Sequence, residues 1–354
     1  MVEDSKLEQL EQKIDEQPLD VQGFESPRML MEMIPEDLVP LLDLAHRPVI
    51  SASQFSREQL IQLCRLAARF ETEPQRMNRP LTGKILISAF YEPSTRTRLS
   101  FESAWHRLGG DIMSITDPAT TGIAKGESLQ DIGEMLNNYG DLVVLRESDA
   151  RAVYDMLDTL RIPIVNGGNG TDEHPTQAMA DIYTILKAHP ALALADEIPD
   201  EQLIHIGIIG VPAHMRTIRS LLIFLSQFAS GIAKVSIISE QEQPFADGQR
   251  EELEQAGLTI EVTTDLDAIL PRLDVVYINT IAWVDDDYQE YGKTFCLSVD
   301  SPLKPGSMVM HPLARGAELD TSLDNTPFNW YFAQARGAVF IRMALLSAIL
   351  KSYS

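Results

Sequence analysis

The sequence predicts an α/β protein built from two doubly wound parallel-sheet domains joined by interdomain helices. Short apolar runs alternate with amphipathic segments along most of the 354 residues, a pattern typical of parallel sheets with helices on both faces. A stretch rich in alanine, proline and acidic residues, 189–201, divides this alternation into two halves. The length of the chain is also sufficient for two domains of ordinary size.

The composition narrows the range of partners and compartments. A net charge of -23 argues against binding to nucleic acid or to an anionic membrane. Cys64 and Cys296 give neither a disulfide framework nor metal-ligand spacing, so we expect reduced thiols, no metal and a cytoplasmic protein. No apolar run of about 18 residues is evident, and the acidic start of the chain lacks the features of a signal peptide.

The chain is expected to divide into four regions, of which the last returns to the first domain. These are an acidic N-terminal extension (1–46), a first domain (47–188), a second domain (189–333) and an apolar final helix (334–354) that completes the first domain. In the extension, Leu7, Leu10 and Ile14 fit a short amphipathic helix, and the prolines that follow predict a loose linker.

Strands and helices are predicted from apolar runs and from helical periodicity. Strands are expected at 83–90, 111–115, 141–146, 162–166, 203–210, 234–238, 259–262, 275–278 and 307–310. Helices are expected from Ser56, after Pro93, and at 129–139, 174–187, 215–228, 248–256, 265–270 and 334–350. Gly167–Gly170 is predicted to be a flexible loop after its strand.

The segment Glu92-Pro-Ser-Thr-Arg-Thr-Arg98 lies where the first of these strands turns into a helix. The start of a helix offers free backbone N–H groups and the positive end of a dipole, which together favour an anion. Hydroxyl groups add donors, and Arg96 and Arg98 add planar guanidinium groups suited to phosphate or carboxylate. A capped helix with solvated arginines would show the same spacing, so the pattern alone leaves both interpretations open.

Further polar residues are predicted at the same edge of the sheet. Arg146 ends one strand, and His174 and Gln177 follow the glycine loop of another. Ligands bind beyond the carboxyl ends of the strands in open parallel sheets, so a shared location favours one common site. Each residue also has a structural explanation when it is taken separately, as a surface charge or a capping group.

The order of residues 92–98 resembles the phosphate-binding signature of the aspartate and ornithine carbamoyltransferase family. The resemblance extends from about residue 48 to 350 and is closest to the aspartate branch. It implies that 47–188 binds carbamoyl phosphate, that 189–333 binds an amino-acid or amine acceptor, and that no cofactor is used. It also implies a homotrimer with shared active sites and allows for an additional regulatory or partner chain.

The resemblance implies a role for each matching position. It implies catalytic roles for Arg96, Thr97, Lys125, Arg146 and His174, and substrate contacts from these and from Ser94, Thr95, Thr121, Gln177, Arg216 and Leu313. Arg146 and His174 match residues that contact the carbonyl oxygen of carbamoyl phosphate, and Gln177 matches one near its amino group. Lys125 matches a residue on a loop that completes a neighbouring subunit's site, and Arg216 matches the arginine that holds the acceptor's carboxylate.

The acceptor half departs from the family pattern. Thr280 and Ala282 stand where the family carries an arginine and a glutamine, and Asp285–Asp287 adds negative charge nearby. Ala314 replaces a proline after Leu313. A cation from elsewhere in the chain could compensate, and the nearest in sequence are His214, Arg219 and Arg315.

The sequence therefore leaves three functional hypotheses. The leading one is carbamoyl transfer to the amino group of L-aspartate, as in pyrimidine biosynthesis, and the second is transfer to a different amine. The third is a non-catalytic homologue that acts as a partner subunit. A dinucleotide-dependent dehydrogenase is disfavoured because Gly207-Ile-Ile-Gly210 lacks the G-x-G-x-x-G spacing.

Overall fold

The computed structural model describes residues 26–76, 78–194, 198–284, 287–290 and 295–353, without the side chains of Gln75 and 281–290. The predicted helix at the start of the extension, the side chain of Ala282 and the side chains of Asp285–Asp287 lie outside this description.

The first sheet is parallel and has four strands in the order β2-β1-β3-β4. Its strands are β1 (Ile85–Phe90), β2 (Asp111–Ile115), β3 (Leu142–Glu147) and β4 (Ile164–Asn169). The helices of this half are α1 (Ser26–Met33), α2 (Val39–Leu42), α3 (Arg57–Thr72), α4 (Thr95–Arg107), α5 (Leu129–Leu136), α6 (Ala152–Leu157), α7 (Pro175–Ala188) and α8 (Ala191–Leu194).

The burial of these strands follows their positions in the sheet. β3 and β4 are almost entirely buried, as expected for strands covered by helices on both faces. Strand β2 lies at an edge and leaves Met113 exposed. Strand β4 continues through Gly167 and Gly168 to Asn169, so the predicted flexible loop was wrong: these glycines are buried within the strand, at a shift in its register with β3.

The second sheet is parallel and has five strands in the order β11-β8-β5-β6-β7. Its strands are β5 (Ile204–Ile209), β6 (Ile232–Ile238), β7 (Ile260–Thr263), β8 (Val275–Ile278) and β11 (Met308–Met310), and β9 (Ile281–Val284) and β10 (Asp287–Glu290) form a separate antiparallel pair. The helices of this half are α9 (Arg216–Ser226), α10 (Gln249–Gln255), α11 (Leu266–Ile269) and α12 (Tyr331–Ile349). Two parallel-sheet α/β domains confirm the predicted fold class.

Helix α12 packs against α3, α4 and α7 of the first half. By length and composition it could cross a membrane, contrary to the expectation that no run is long and apolar enough, but 78% of its most apolar window is buried inside the protein. Its apolar residues therefore serve the core, and the helix carries the end of the chain back across the first domain.

The end of the N-terminal extension is more ordered than the prolines predict. Leu30, Ile34, Leu41 and Leu44 are buried in the main core, and α1 and α2 pack on α3. The side chain of Gln62 fixes this segment, since it accepts a hydrogen bond from the backbone of Asp37 and donates one to the carbonyl of Pro35. The predicted loose linker was therefore wrong for residues 26–46.

Candidate active site

A cavity of about 900 Å³ opens where the two halves of the chain meet. It lies beyond the carboxyl ends of strands in both sheets, which is the usual position of ligand sites in open α/β sheets. Nine of the eleven predicted site residues line it: Ser94, Thr95, Arg96, Thr97, Arg146, His174, Gln177, Arg216 and Leu313. The cavity is thus shared between both sheets and the last helix.

The start of helix α4 forms one wall of the cavity. Ser94 is its N-cap, yet the serine side chain makes no capping hydrogen bond to the first turn. The first-turn N–H groups therefore have no side-chain acceptor at their cap, and the dipole of a 13-residue helix favours an anion there. Arg96 lines the cavity, but the expectation that Arg98 adds to the anion site was wrong, because Arg98 pairs with Glu102 at 3.1 Å and does not line the cavity.

Arg146 and Arg216 are held together by one buried carboxylate. Glu92, whose side chain is fully buried, accepts a hydrogen bond from Arg146 Nη2 at 2.7 Å and two from Arg216, at 2.8 and 3.1 Å. Arg146 also donates to the carbonyl of Gly167 at 3.3 Å, and Arg216 donates to that of Gly170. These contacts fix the directions of both guanidinium groups at the junction of the two halves.

The close approach of these arginines explains the glycine at position 168. Gly168 has a φ of 111°, and a Cβ added there would lie 3.1 Å from Arg146 Nη1 and 3.3 Å from Arg216 Nε. Any other residue would combine an unfavourable backbone conformation with crowding against both side chains. The glycine run that appeared to be a flexible loop thus provides space for the two arginines.

His174 lies at the base of the cavity, and its surroundings favour the neutral imidazole. Burial lowers its pKa well below the usual value of 6.5, and the nearby charges of Arg146, Arg216 and Arg342 lower it further. Its Nε2 lies 3.4 Å from the hydroxyl oxygen of Thr97, and its Nδ1 has no hydrogen-bond partner among the described residues. A neutral imidazole with one N–H remains able to donate to an oxygen atom in the cavity.

The residues that line the cavity carry only positive charge. They include Arg96, Arg146, Arg216 and Arg342 and three histidines, but no aspartate or glutamate. In a chain with a net charge of -23, this concentration of guanidinium groups makes the cavity a local site for an anion.

Thr121 and Lys125, the other two predicted site residues, do not line the cavity. Two short 3-10 turns, Pro118–Thr120 and Gly122–Lys125, follow the edge strand β2; Thr121 lies between them and Lys125 ends the second. Within one chain, the structure therefore does not bring Lys125 to the other predicted residues.

The acceptor side of the cavity includes few cations. Three residues, His214, Arg219 and Arg315, were expected as possible replacements for the missing arginine at position 280. Of these, only His214 lines the cavity. Arg315 forms a bidentate pair with Asp324, and Arg219 is partly exposed and lies 4.0 Å from Asp172. Thr280 is 1% exposed and does not line the cavity, so this position provides no charge there.

Several residues of the site were missed by the sequence reasoning. Glu92 was quoted in the motif without a role, and its position before Pro93, at a strand end with arginines nearby, was the available signal. Asp181 lies four residues after Gln177 and therefore on the same face of α7. Gln334 and His311 were not predicted as site residues, because only the folded chain brings α12 and the loop after β11 together.

Among the described residues, no three His, Cys, Asp or Glu side chains form a group suited to a metal ion.

Comparison with known protein families matches both halves of the chain. Residues 47–187 match the aspartate/ornithine carbamoyltransferase carbamoyl-P binding domain, and residues 202–349 match the Asp/Orn binding domain of the same family.

Individual relatives agree with this assignment. The chain is 37% identical to the aspartate carbamoyltransferase catalytic subunit of Methanopyrus kandleri, over 86% of this chain and 98% of the relative. It is 34% identical to the catalytic subunit of Chromobacterium violaceum, over 85% of this chain and 97% of that relative. The crystal structure of aspartate transcarbamoylase from Trypanosoma cruzi in complex with carbamoyl phosphate and aspartate is similar, with a TM-score of 0.77, 31% identity and coverage of 89% of this chain and all of that one. The chain therefore belongs to the aspartate/ornithine carbamoyltransferase family.

Proposed function

We propose that this protein transfers the carbamoyl group from carbamoyl phosphate to the amino group of L-aspartate. The observation that carries the proposal is the cavity itself, which combines an uncapped helix start, four arginines and a neutral histidine without any carboxylate in its lining. The relatives named aspartate carbamoyltransferase, and the similar structure that holds carbamoyl phosphate and aspartate, support the same reaction.

The proposed reaction needs charge stabilisation at two places. As the amine attacks the carbamoyl carbon, negative charge develops on the carbonyl oxygen, where Thr97, Arg146 and His174 are proposed to donate hydrogen bonds. The C–O bond to phosphate then breaks, the attacking nitrogen gives up its proton to the departing phosphate, and the start of α4 and Arg96 are proposed to receive that phosphate. Because His174 is neutral, it can donate one N–H without first having to gain a proton. Holding both substrates together in one cavity supplies the rest of the rate enhancement.

We further propose a cytoplasmic homotrimer that acts in pyrimidine biosynthesis. Lys125 lies outside the cavity of its own chain, which is consistent with its loop completing a neighbour's site. The edge strand β2, which precedes this loop, exposes Met113, and Leu99 on α4 is also exposed, so apolar surface is available for a subunit contact. An additional regulatory chain would remain compatible with this assembly.

A second candidate function is transfer to another amine. The specific observation is the absence of a charged side chain at Thr280, which leaves Arg216 and His214 as the residues that could hold the carboxylates of an acceptor.

Turnover with carbamoyl phosphate and a panel of amines tests both candidates. The ureido product is measured by colorimetry for aspartate, neutral amino acids and simple amines. Product from aspartate supports the proposal, and product from a different amine alone supports the second candidate. No product from any amine, with carbamoyl phosphate still bound, would contradict both and favour a non-catalytic homologue.

A further inference from the structure

Asp181 lies buried beneath the cavity, where α7 of the first half meets α12. Its Oδ1 atom accepts a hydrogen bond from Gln177 Nε2 at 2.9 Å and another from Gln334 Nε2 at 2.6 Å. Both glutamines line the cavity, although Asp181 itself does not. One carboxylate oxygen thus holds two side chains that a bound ligand would meet.

These hydrogen bonds determine which way each amide faces. Above its pKa of about 7, the carboxylate of Asp181 is ionised and can only accept, so each glutamine turns its nitrogen toward Asp181 and its carbonyl oxygen away. For Gln334 this oxygen has a partner of its own, because it accepts the backbone N–H of His311 at 2.9 Å. Gln177 lines the cavity, and its carbonyl oxygen accepts no hydrogen bond in the described contacts.

The same carboxylate links the two walls of the cavity. Gln334 joins Asp181 to the segment 311–314, all of whose residues line the cavity. His311 is fixed in turn, since its Nδ1 accepts the N–H of Leu313 at 2.7 Å and its Nε2 lies 2.8 Å from Glu318. A chain of hydrogen bonds through Asp181 and Gln334 therefore connects Gln177 to the segment that begins at His311.

We propose that Asp181 is a positioning residue that fixes Gln177 with its carbonyl oxygen toward the cavity, where this oxygen accepts an N–H of the carbamoyl amino group. This inference rests on the proposed function and on the resemblance that places Gln177 near the carbamoyl amino group; what it adds is the residue that orients Gln177. A carbonyl oxygen at this point selects for a ligand that donates, and so distinguishes carbamoyl phosphate from acetyl phosphate, which has a methyl group in place of the amino group.

The test compares the two ligands in an Asp181→Asn variant by calorimetry at about pH 8. An asparagine can present either its oxygen or its nitrogen, so the amide of Gln177 is no longer forced into one orientation. We expect the ratio of carbamoyl phosphate affinity to acetyl phosphate affinity to fall about fivefold or more, the size of one hydrogen bond. Affinity for inorganic phosphate should be unchanged, because α4 and Arg96 remain.

Two further variants separate positioning from general damage. Gln177→Ala should lose the same selectivity. The double variant Asp181→Asn/Gln177→Ala should lose no more selectivity than either single variant, since both changes remove the same contact with the ligand. Thr184→Val is the matched control, because Thr184 is buried on the same helix and bonds only to the carbonyl of Ala180 in the described contacts. It should keep wild-type selectivity.

The outcomes distinguish the inference from the function on which it rests. Full selectivity in Asp181→Asn would overturn the inference, and so would a parallel loss of affinity for inorganic phosphate, which would indicate a merely structural role. A wild-type protein that binds inorganic phosphate but does not prefer carbamoyl phosphate to it would instead overturn the proposed function, and the inference with it.

Discussion

The carboxylate of Glu92 accepts two hydrogen bonds from Arg216, at 2.8 and 3.1 Å, although Glu92 follows a strand of the first sheet and Arg216 begins a helix of the second half. The same carboxylate accepts a hydrogen bond from Arg146 at 2.7 Å. A single buried negative charge therefore balances two arginines and joins the two halves of the chain at the edge of the cavity.

Replacing this charge should destabilise the protein. Glu92→Gln leaves two largely buried guanidinium groups without their counter-charge, so we expect the free energy of unfolding to fall by about 3 kcal/mol in denaturant titrations. Glu134→Gln is the matched control, because Glu134 also pairs with an arginine at 2.7 Å, but on the exposed surface. The control should unfold like wild type. Equal effects of the two changes would show that burial of the Glu92 cluster is unimportant.

Shared active sites predict recovery of activity by subunit exchange. Arg96→Ala and Lys125→Ala should each be inactive, because each lesion affects every site of its own homotrimer. After exchange in equal amounts, about a quarter of the sites would combine an intact Arg96 with an intact Lys125 from a neighbour. Activity is measured once exchange has been verified by mass spectrometry. Verified mixed trimers without any recovered activity would argue against the shared site.

The acceptor side of the cavity predicts that aspartate is handled poorly. A second carboxylate would be buried without the arginine that the family carries at position 280, and burying an unpaired carboxylate is costly. We expect kcat/KM for aspartate to be no better than about tenfold above that for neutral or monocarboxylate amino acids. Efficient and exclusive use of aspartate would refute this expectation and indicate a compensating cation. His214→Ala, with Arg219→Ala as the control outside the cavity, would then identify whether His214 supplies it.

Asp181 should make stability depend on pH. Burial raises its pKa from 3.8 to about 7. The folded protein therefore keeps a proton that the unfolded chain has already lost, and the resulting stabilisation is complete below the unfolded pKa and disappears as the pH rises to about 7. Relative to Asp181→Asn, the free energy of unfolding of wild type should fall by up to about 1.4 kcal/mol per pH unit between about pH 5 and 7. Above about pH 7 it should fall no further. Unfolding titrations at several pH values measure the difference. A difference that does not change with pH would show that Asp181 is ionised throughout.

The sequence predicted the fold well because the physical cause of each element is local. Ser56 and Gln59 form the capping box that begins α3, and the apolar runs of β5 and β8 are the buried strands that their composition indicates. The glycine run of β4 was misassigned because glycine indicates flexibility in isolation, whereas here it makes room for two arginines. The extension was misassigned because its prolines are local signals, while Leu30 and Leu41 are ordered by distant packing.

The site was predictable where a short segment, a shared sheet edge or the family resemblance indicated it. Ser94 to Thr97 could be assigned because the start of a helix is itself the binding element. The roles of Glu92 and Asp181 depend on partners more than 120 and 150 residues away, Arg216 and Gln334, so no window of sequence reveals them. Hydrogen bonds of this kind appear only after the two sheets and α12 have come together.

The affinity of carbamoyl phosphate for Arg96→Ala, measured by calorimetry beside Arg98→Ala, tests the central claim most directly. The two arginines lie two residues apart on the first turns of α4, but only Arg96 lines the cavity, while Arg98 pairs with Glu102. We predict that Arg96→Ala weakens binding by about 1.5–3 kcal/mol, the range of a hydrogen bond to a charged group, and that Arg98→Ala binds like wild type. Unchanged affinity in Arg96→Ala would contradict the account, because the phosphate would then bind elsewhere.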